Sequence, residues 1–349
     1  MLSSVYSLNS IDWEEIFKVR GYSQHLLPFW LDGLYKNAQI WEKHVSQSVI
    51  QELKASYLFD RPEISQILEA SDETIKFQMR FQDGLEVETV LIPFFKRFTV
   101  CLSTQVGCGM NCSFCFTGTQ GLKRHLTAGE IVGQYLTAME YLKQKDSAAL
   151  TPSIVFMGQG EPLHNVGEVK KAVSVLTDTK LIGVGHRQIT LSTVGYLPGM
   201  EELKSFPKIN LALSLHSPFQ DERTTIIPVG HKYPLEAVLQ KLDEIPLLKR
   251  QFITYEYLMM KDFNMSDAHV EEMAKLLGPR PALVNLIPFN PFPGSQWERP
   301  DNSEIEIFKE KLVAKKLRVM VRTTKGDDIL AACGQLKINK MARNYVASR

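Results

Sequence analysis

The chain has 349 residues, a formal net charge of +1, 44% hydrophobic and 23% charged residues. That length fits one large domain with a smaller one beside it, and the composition is that of an ordinary globular protein. No apolar run reaches the length of a membrane span, and the start, MLSSVYSLNSIDWEE, lacks the basic and apolar regions of a signal peptide. A cytoplasmic protein is expected, and the odd count of five cysteines also argues against an extracellular disulfide framework. With near-neutral charge overall, any contact with nucleic acid has to be a local basic patch.

Taken in chain order, residues 10–68 repeat apolar side chains at helical spacing, with Trp13, Ile16 and Phe17 and later Val49, Ile50 and Leu53 as faces. This predicts a cap of three helices. From Thr74 the period falls to two, with Ile75, Phe77, Met79 and Phe81 on one face. Asp83-Gly84 then separates this strand from a second over 85–93, a hairpin signal. Residues 1–95 therefore read as an accessory domain of helices followed by a β-hairpin. From Val100 onward short apolar strands alternate with amphipathic helices. Thr127 and Glu130 form a capping box that opens a helix to residue 143. Strands over 153–157, 188–192, 209–214, 252–259, 283–287 and 318–322 alternate with helices over 167–177, after Pro198, and over 234–241, 267–277 and 303–315. Such alternation means parallel strands with crossover helices, an α/β fold. Its units make a partial (βα)6 barrel over 96–336, followed by a basic tail, 337–349.

Chemistry concentrates in residues 99–121, TVCLSTQVGCGMNCSFCFTGTQG, which hold four of the five cysteines; the fifth is Cys333. Cys108, Cys112 and Cys115 lie on one short Gly, Asn and Ser-rich loop, and three thiolates so close suit a metal. A structural zinc site needs a fourth ligand, which would be Cys101, His125 or Cys333. A catalytic 4Fe-4S cluster can keep one iron open for a substrate, and three local cysteines fit that better. Phe114 reads as an apolar cover that limits solvent access. In parallel sheets ligands sit at the carboxyl ends of the strands. There this chain has Gly158-Gln159-Gly160-Glu161-Pro162, Thr193-Val194-Gly195, Ser214-Leu215-His216 and Pro288-Phe289-Asn290-Pro291. The glycines let backbone approach a ligand, and the Glu161 carboxylate suits an ammonium group. Each segment alone reads as a helix cap or a satisfied loop; their joint position points to a site.

The cysteine spacing resembles that of the radical S-adenosylmethionine (SAM) enzymes, whose open iron chelates SAM. Across residues 87–336 the series VETV, the cysteine segment, MGQGEPL, TLSTVG, LSLHSP, VNLIPFNPFPG and GDDILAACGQL resembles the RlmN/Cfr family of radical SAM RNA methyltransferases, RlmN more than Cfr. The resemblance implies methylation of carbon 2 of an adenosine in 23S ribosomal RNA and, in some members, in transfer RNA. It implies a 4Fe-4S cluster on Cys108, Cys112 and Cys115, and two SAM molecules per turnover. Carbon 2 of adenine is electron-poor, so direct displacement from SAM is closed to it. In the family a cysteine matching Cys333 is methylated first, a radical made from the second SAM takes hydrogen from that methyl group, and the methylene radical adds to the ring. A cysteine matching Cys101 then forms a transient disulfide with Cys333 and frees the product, with Glu88 matching the proton acceptor. Gly160, Glu161, Ser192, Ser214, Leu215, His216 and Asn290 match the SAM-binding positions. The implied partners are RNA, an electron donor such as flavodoxin and a disulfide reductant, with no membrane and a monomeric chain.

Two other readings use the same residues. One is methylation at carbon 8, the Cfr reaction. The other is a metal-stabilised RNA-binding protein without turnover, which would have no need of Cys101, Cys333 and Glu88 together. Without the resemblance, Glu88 reads as a solvated strand face, Cys101 and Cys333 as buried thiols, and Asp327 and Asp328 as residues that shape a loop. The chain departs from the family at Gln159, where methionine is common, at Leu330, where aspartate is common, and at Phe116, where a small residue is usual. Residues 21–37 also carry little positive charge where relatives have a basic stretch. Candidate phosphate contacts are Lys96, Arg97, Lys123 and Arg124, and in the tail Lys337, Lys340, Arg343 and Arg349.

Overall fold

The computed structural model describes residues 2–36, 39–95, 97–145 and 152–338. Lys96 and the tail cations Lys340, Arg343 and Arg349 lie outside the described residues.

Among the described residues four helices form the N-terminal cap: α1 (Ser10–Val19), α2 (Leu27–Tyr35), α3 (Gln39–His44) and α4 (Gln47–Ser56). The Asn9 side chain accepts from the Ile11 and Asp12 amides, and Asp12 accepts from the Asn9 amide, a reciprocal cap that starts α1. Trp13, Phe17, Trp30 and Leu53 are wholly buried. Trp30 stacks on Trp41 with ring centroids 4.8 Å apart and meets Trp13 edge-on at 5.4 Å. The helical reading of residues 10–68 runs too far. Glu63–Glu69 is a strand, β1, because Pro62 interrupts helical hydrogen bonding and the side chains after it alternate with a period of two.

Strand β1 pairs antiparallel with β2 (Ile75–Arg80), with a bulge between Ile64 and Gln66, and β2 pairs antiparallel with β3 (Glu86–Phe94). Strand β4 (Arg97–Cys101) completes this meander and begins a parallel set. A separate hairpin follows, β5 (Gln105–Gly107) with β6 (Leu122–His125). After it come α5 (Ala128–Gln144), β7 (Ser153–Phe156), α6 (Val166–Thr177), β8 (Ile189–Thr193), the short α7 (Leu197–Met200) and β9 (Asn210–Ser214). The chain continues through α8 (Gln220–Ile226), α9 (Leu235–Asp243), β10 (Ile253–Met259), α10 (Asp267–Leu277), β11 (Ala282–Pro288), α11 (Asn302–Ala314) and β12 (Val319–Val321). The main sheet runs β1-β2-β3-β4-β7-β8-β9-β10-β11-β12, parallel from β4 onward. Among the described residues six strand-helix units and a last strand make the expected partial (βα)6 barrel, and β1 and β12 are the edge strands of the sheet.

Period-two alternation decides what each face carries. One face sends Phe77, Val87, Leu91, Val100, Ile154, Phe156, Leu191, Leu213, Tyr257 and Leu286 into the main core beneath the helices. The register of paired strands puts Gln78, Glu88, Val90, Cys101, Val155, Ser192, Ser214 and Glu256 on the other, inner face. That face is polar toward the carboxyl ends of the parallel strands.

Candidate active site

The hairpin β5–β6 staples the base of the cysteine loop. The Cys108 amide donates to the Gly121 carbonyl at 3.0 Å. Gly107, at φ 75°, leaves no room for a side chain there, since a Cβ would lie 1.9 Å from the Gly121 oxygen. Within the loop the Ser113 amide donates to Ile226 of α8, and the Phe116 amide to Gly334, beside Cys333. Thr117 Oγ1 donates to the Leu336 carbonyl at 2.6 Å and Asn290 Nδ2 to the Cys333 carbonyl at 3.3 Å. The cysteine loop and the Cys333 loop are thus fastened along one line.

Between them lies a cavity of about 150 Å³ that opens to solvent. Its wall includes Cys108, Cys112, Cys115, Cys333, Gly160, Glu161, Ser192, Ser214 and His216, drawn from the loop and from the ends of several strands. Phe114 is also on this wall, edge-on to the His216 ring at 4.6 Å. Leu215 and Asn290 are not on it. The Leu215 carbonyl accepts from Arg223 and its amide donates to Glu256, while Asn290 holds the Cys333 backbone. Gly158 and Gly160 are small for a further reason: Cβ atoms there would meet Leu102 O at 2.7 Å and Gln105 N at 2.8 Å, so the turn lies against neighbouring backbone. His125, a possible fourth metal ligand on sequence, instead shares Gln105 Nε2 with His164.

The electrostatics of the cavity wall follow from burial. The Glu161 carboxylate accepts from the Leu163 and Val194 amides, each at 3.0 Å, yet burial pushes it up to about 7. Burial also pushes the Cys108 thiol up to about 12 and those of Cys112 and Cys115 upward. His216 takes a hydrogen bond from the Leu258 amide on Nδ1, which leaves the proton on Nε2. Behind the wall Arg223 is wholly buried. It donates to the Val194, Ser214 and Leu215 carbonyls, and its Nη1 finds no hydrogen-bond partner among the described residues.

On the same inner face Glu88 is 4% exposed, so the solvated reading of that residue fails. Its amide donates to Gln159 Oε1 at 3.1 Å, and its carbonyl accepts from Ser103 Oγ. Cys101 packs with Val90, Ile329 and Ala331 of the Cys333 loop, and both Cys101 and Cys333 are free thiols. Burial first, then the nearness of Cys333, pushes Cys101 up to about 12. Of the candidate phosphate contacts, Arg124 is held by Asp83 and Glu130, and Lys337 lies over the Phe116 ring. Arg97 and Lys123 are exposed.

Residues 102–277 match the Radical SAM superfamily. The dual-specificity RNA methyltransferase RlmN of Pseudomonas fluorescens is 41% identical over 311 residues, covering 88% of this chain and 81% of that protein. That of Lawsonia intracellularis is 40% identical over 320 residues, covering 87% and 89%. The chain belongs to the RlmN/Cfr family of radical SAM RNA methyltransferases. With the RlmN of Paramagnetospirillum magneticum it shares 42% identity over 300 residues, 84% of this chain but 66% of that protein. A radical SAM methyltransferase from Sphaerobacter thermophilus has the same fold, with a TM-score of 0.87 and 33% identity over 96% of this chain and 99% of that one.

Membership in the RlmN/Cfr family implies a 4Fe-4S cluster and SAM, and the residues here fit both. Among the described residues no three His, Cys, Asp or Glu side chains converge on one ion. Cys108, Cys112 and Cys115 line one shared cavity and are the residues that would hold a cluster. A cationic centre would ionise thiols that burial keeps neutral, and an ammonium beside Glu161 would draw its carboxyl back toward the ionised form. Sequence reading missed Arg223 behind the wall, and Glu256 and Arg322 on it. Arg223 sits in the charged run QDERTT, which looks solvated. No local signal says that three strand-end carbonyls require its guanidinium.

Proposed function

We propose that this chain methylates carbon 2 of an adenosine in RNA, in the cytoplasm, using Cys333 as the methyl carrier. The observation that carries the reading is the position of Cys333. It lines the cavity with the three loop cysteines and Glu161, while its own loop packs on Cys101 and Val90 of the inner face. When bound, the cluster and SAM supply the methyl group and, by one-electron cleavage of a second SAM, the radical that activates it. Cys333 loses its proton as its sulfur takes the methyl group, and later holds the methylene that bonds to carbon 2. Glu88 accepts the proton that leaves carbon 2. Once the ring adduct has given up its unpaired electron, which the iron-sulfur centre would take back, Cys101 attacks the Cys333 sulfur as a thiolate, so that the S–S bond forms as the S–CH2 bond breaks; the released carbon takes the proton that the Cys101 thiol gave up and becomes the methyl group of the departing base, and a dithiol reductant then restores both thiols. Glu161 binds the ammonium of SAM, with Gly160, Ser192, Ser214 and His216 along the same wall and Leu215 and Asn290 bracing it. A flavodoxin-like protein fits the need for an electron donor.

The test is mass spectrometry of nucleosides from 23S ribosomal RNA and from transfer RNA, each incubated with reconstituted protein, SAM and reductant, beside Cys333→Ala. 2-Methyladenosine made by the wild type and absent with the variant is expected, and it names the RNA. 8-Methyladenosine would overturn the regiochemistry, and a product from Cys333→Ala would overturn the carrier.

A further inference from the structure

Lys76 and Glu88 form an ion pair inside the protein. Lys76 Nζ lies 3.0 Å from Glu88 Oε1, and the two side chains are 5% and 6% exposed. The same ammonium donates to the Leu330 carbonyl, also at 3.0 Å, three residues before Cys333. The β2–β3 register sets Lys76 opposite Val90 and Gln78 opposite Glu88, so the lysine reaches its partner diagonally across the inner face. As a stability device such a pair is poor, because desolvating two charges offsets most of their attraction and apolar residues would serve as well.

The Cys333 loop lies down on this face. Gly326 N donates to Asp72 at 3.0 Å, and Asp328 accepts from Ser71 N at 2.9 Å, both at the β1–β2 turn. Ile329, Ala331 and Leu336 pack with Val90 and Cys101. Leu330 itself is wholly buried and held at φ 52°, a left-handed conformation that a branched side chain adopts only when its surroundings impose it. Lys76 touches both parts at once, the loop through Leu330 and the carboxylate through Glu88.

We propose that Lys76 is a positioning residue that holds the Cys333 loop and the Glu88 carboxylate in one register, so that methyl carrier and proton acceptor meet the same adenine ring. The inference rests on the roles assigned to Cys333 and Glu88 above. Two readouts on the full-length chain test it: the rate at which iodoacetamide alkylates Cys333, followed by peptide mass spectrometry, and RNA methylation by the reconstituted enzyme. In Lys76→Met, Cys333 is expected to react about tenfold faster, the scale of one lost charge-assisted hydrogen bond. RNA methylation falls by about the same factor or more, and Lys76→Arg recovers most of both. Glu88→Gln leaves Lys76 on Leu330, so alkylation stays near the wild-type rate while RNA methylation is lost. Lys76→Met strands a buried carboxylate and can fail to fold; the double variant Lys76→Met/Glu88→Gln, neutral on both sides, then carries the alkylation measurement. A wild-type alkylation rate in the folded variant would overturn the clamp, and faster alkylation with undiminished methylation would overturn its functional part. Undiminished methylation by Glu88→Gln would instead overturn the reading of Glu88 as proton acceptor.

Discussion

His216 illustrates how much one buried side chain can be asked to do. It sits at φ 59°, 4% exposed, with its carbonyl accepting from Asn264 and its Nδ1 accepting from Leu258. Burial, and then the charge of Arg223, takes the imidazole down to about 3. The folded value is depressed, so between that value and about 6.5 the unfolded chain binds a proton that the folded chain refuses. Stability is therefore lost as pH falls below about 6.5, by up to about 1.4 kcal/mol per unit. Urea unfolding at pH 7, 6 and 5 should show this decline, and His216→Asn should flatten it; parallel curves for the two proteins would contradict it. The histidine, Glu161 and the three loop cysteines were legible in the sequence because strand ends and cysteine spacing are local patterns. Lys76 was not, because its carbonyl partner lies 254 residues away.

At the scale of elements, the staple β5–β6 governs the cysteine loop. Gly107→Ala would force a Cβ against the Gly121 oxygen at a φ that alanine resists. We expect the variant to keep the wild-type circular dichroism and to lose iron and the absorption band near 400 nm after reconstitution; full iron content would show that the loop closes without the staple. The capping box at Thr127 and Glu130 was readable as written, and α5 begins there. The hairpin was not, since strands of three and four residues around a glycine-rich loop leave too short a pattern. Strand β1 was misread for a related reason. Ile64, Ile67 and Leu68 fall at the i, i+3, i+4 spacing of a helix, while in the strand Ile67 is exposed and only Ile64 and Leu68 are half-buried, so only Pro62 argued against the helix.

On the scale of the molecule, cap and barrel are joined by Ser10 N to Asp178 at 2.9 Å, Asn9 to Ser174 at 3.1 Å and Lys180 to Glu14 at 2.6 Å. These bonds tie the aromatic core of the cap to α6 and the turn after it. Trp30→Ala should cost about 3–5 kcal/mol, and the loss should appear as one shifted urea transition; a separate early transition would mean that the cap melts alone. The order of the parallel strands was legible from their alternation with helices. That the antiparallel strands continue the same sheet was not, since a hairpin pattern names its own partner and no other. Among the described residues the open sheet also has two edge ladders that a second copy of the chain could join. At one end β12 offers only three residues. At the other, β1 carries glutamates at both ends and the bulge between Ile64 and Gln66, which breaks the even spacing a partner strand would need. Copies that collide in a crowded solution find few main-chain bonds to share, so the fold resists its own aggregation without closing the barrel.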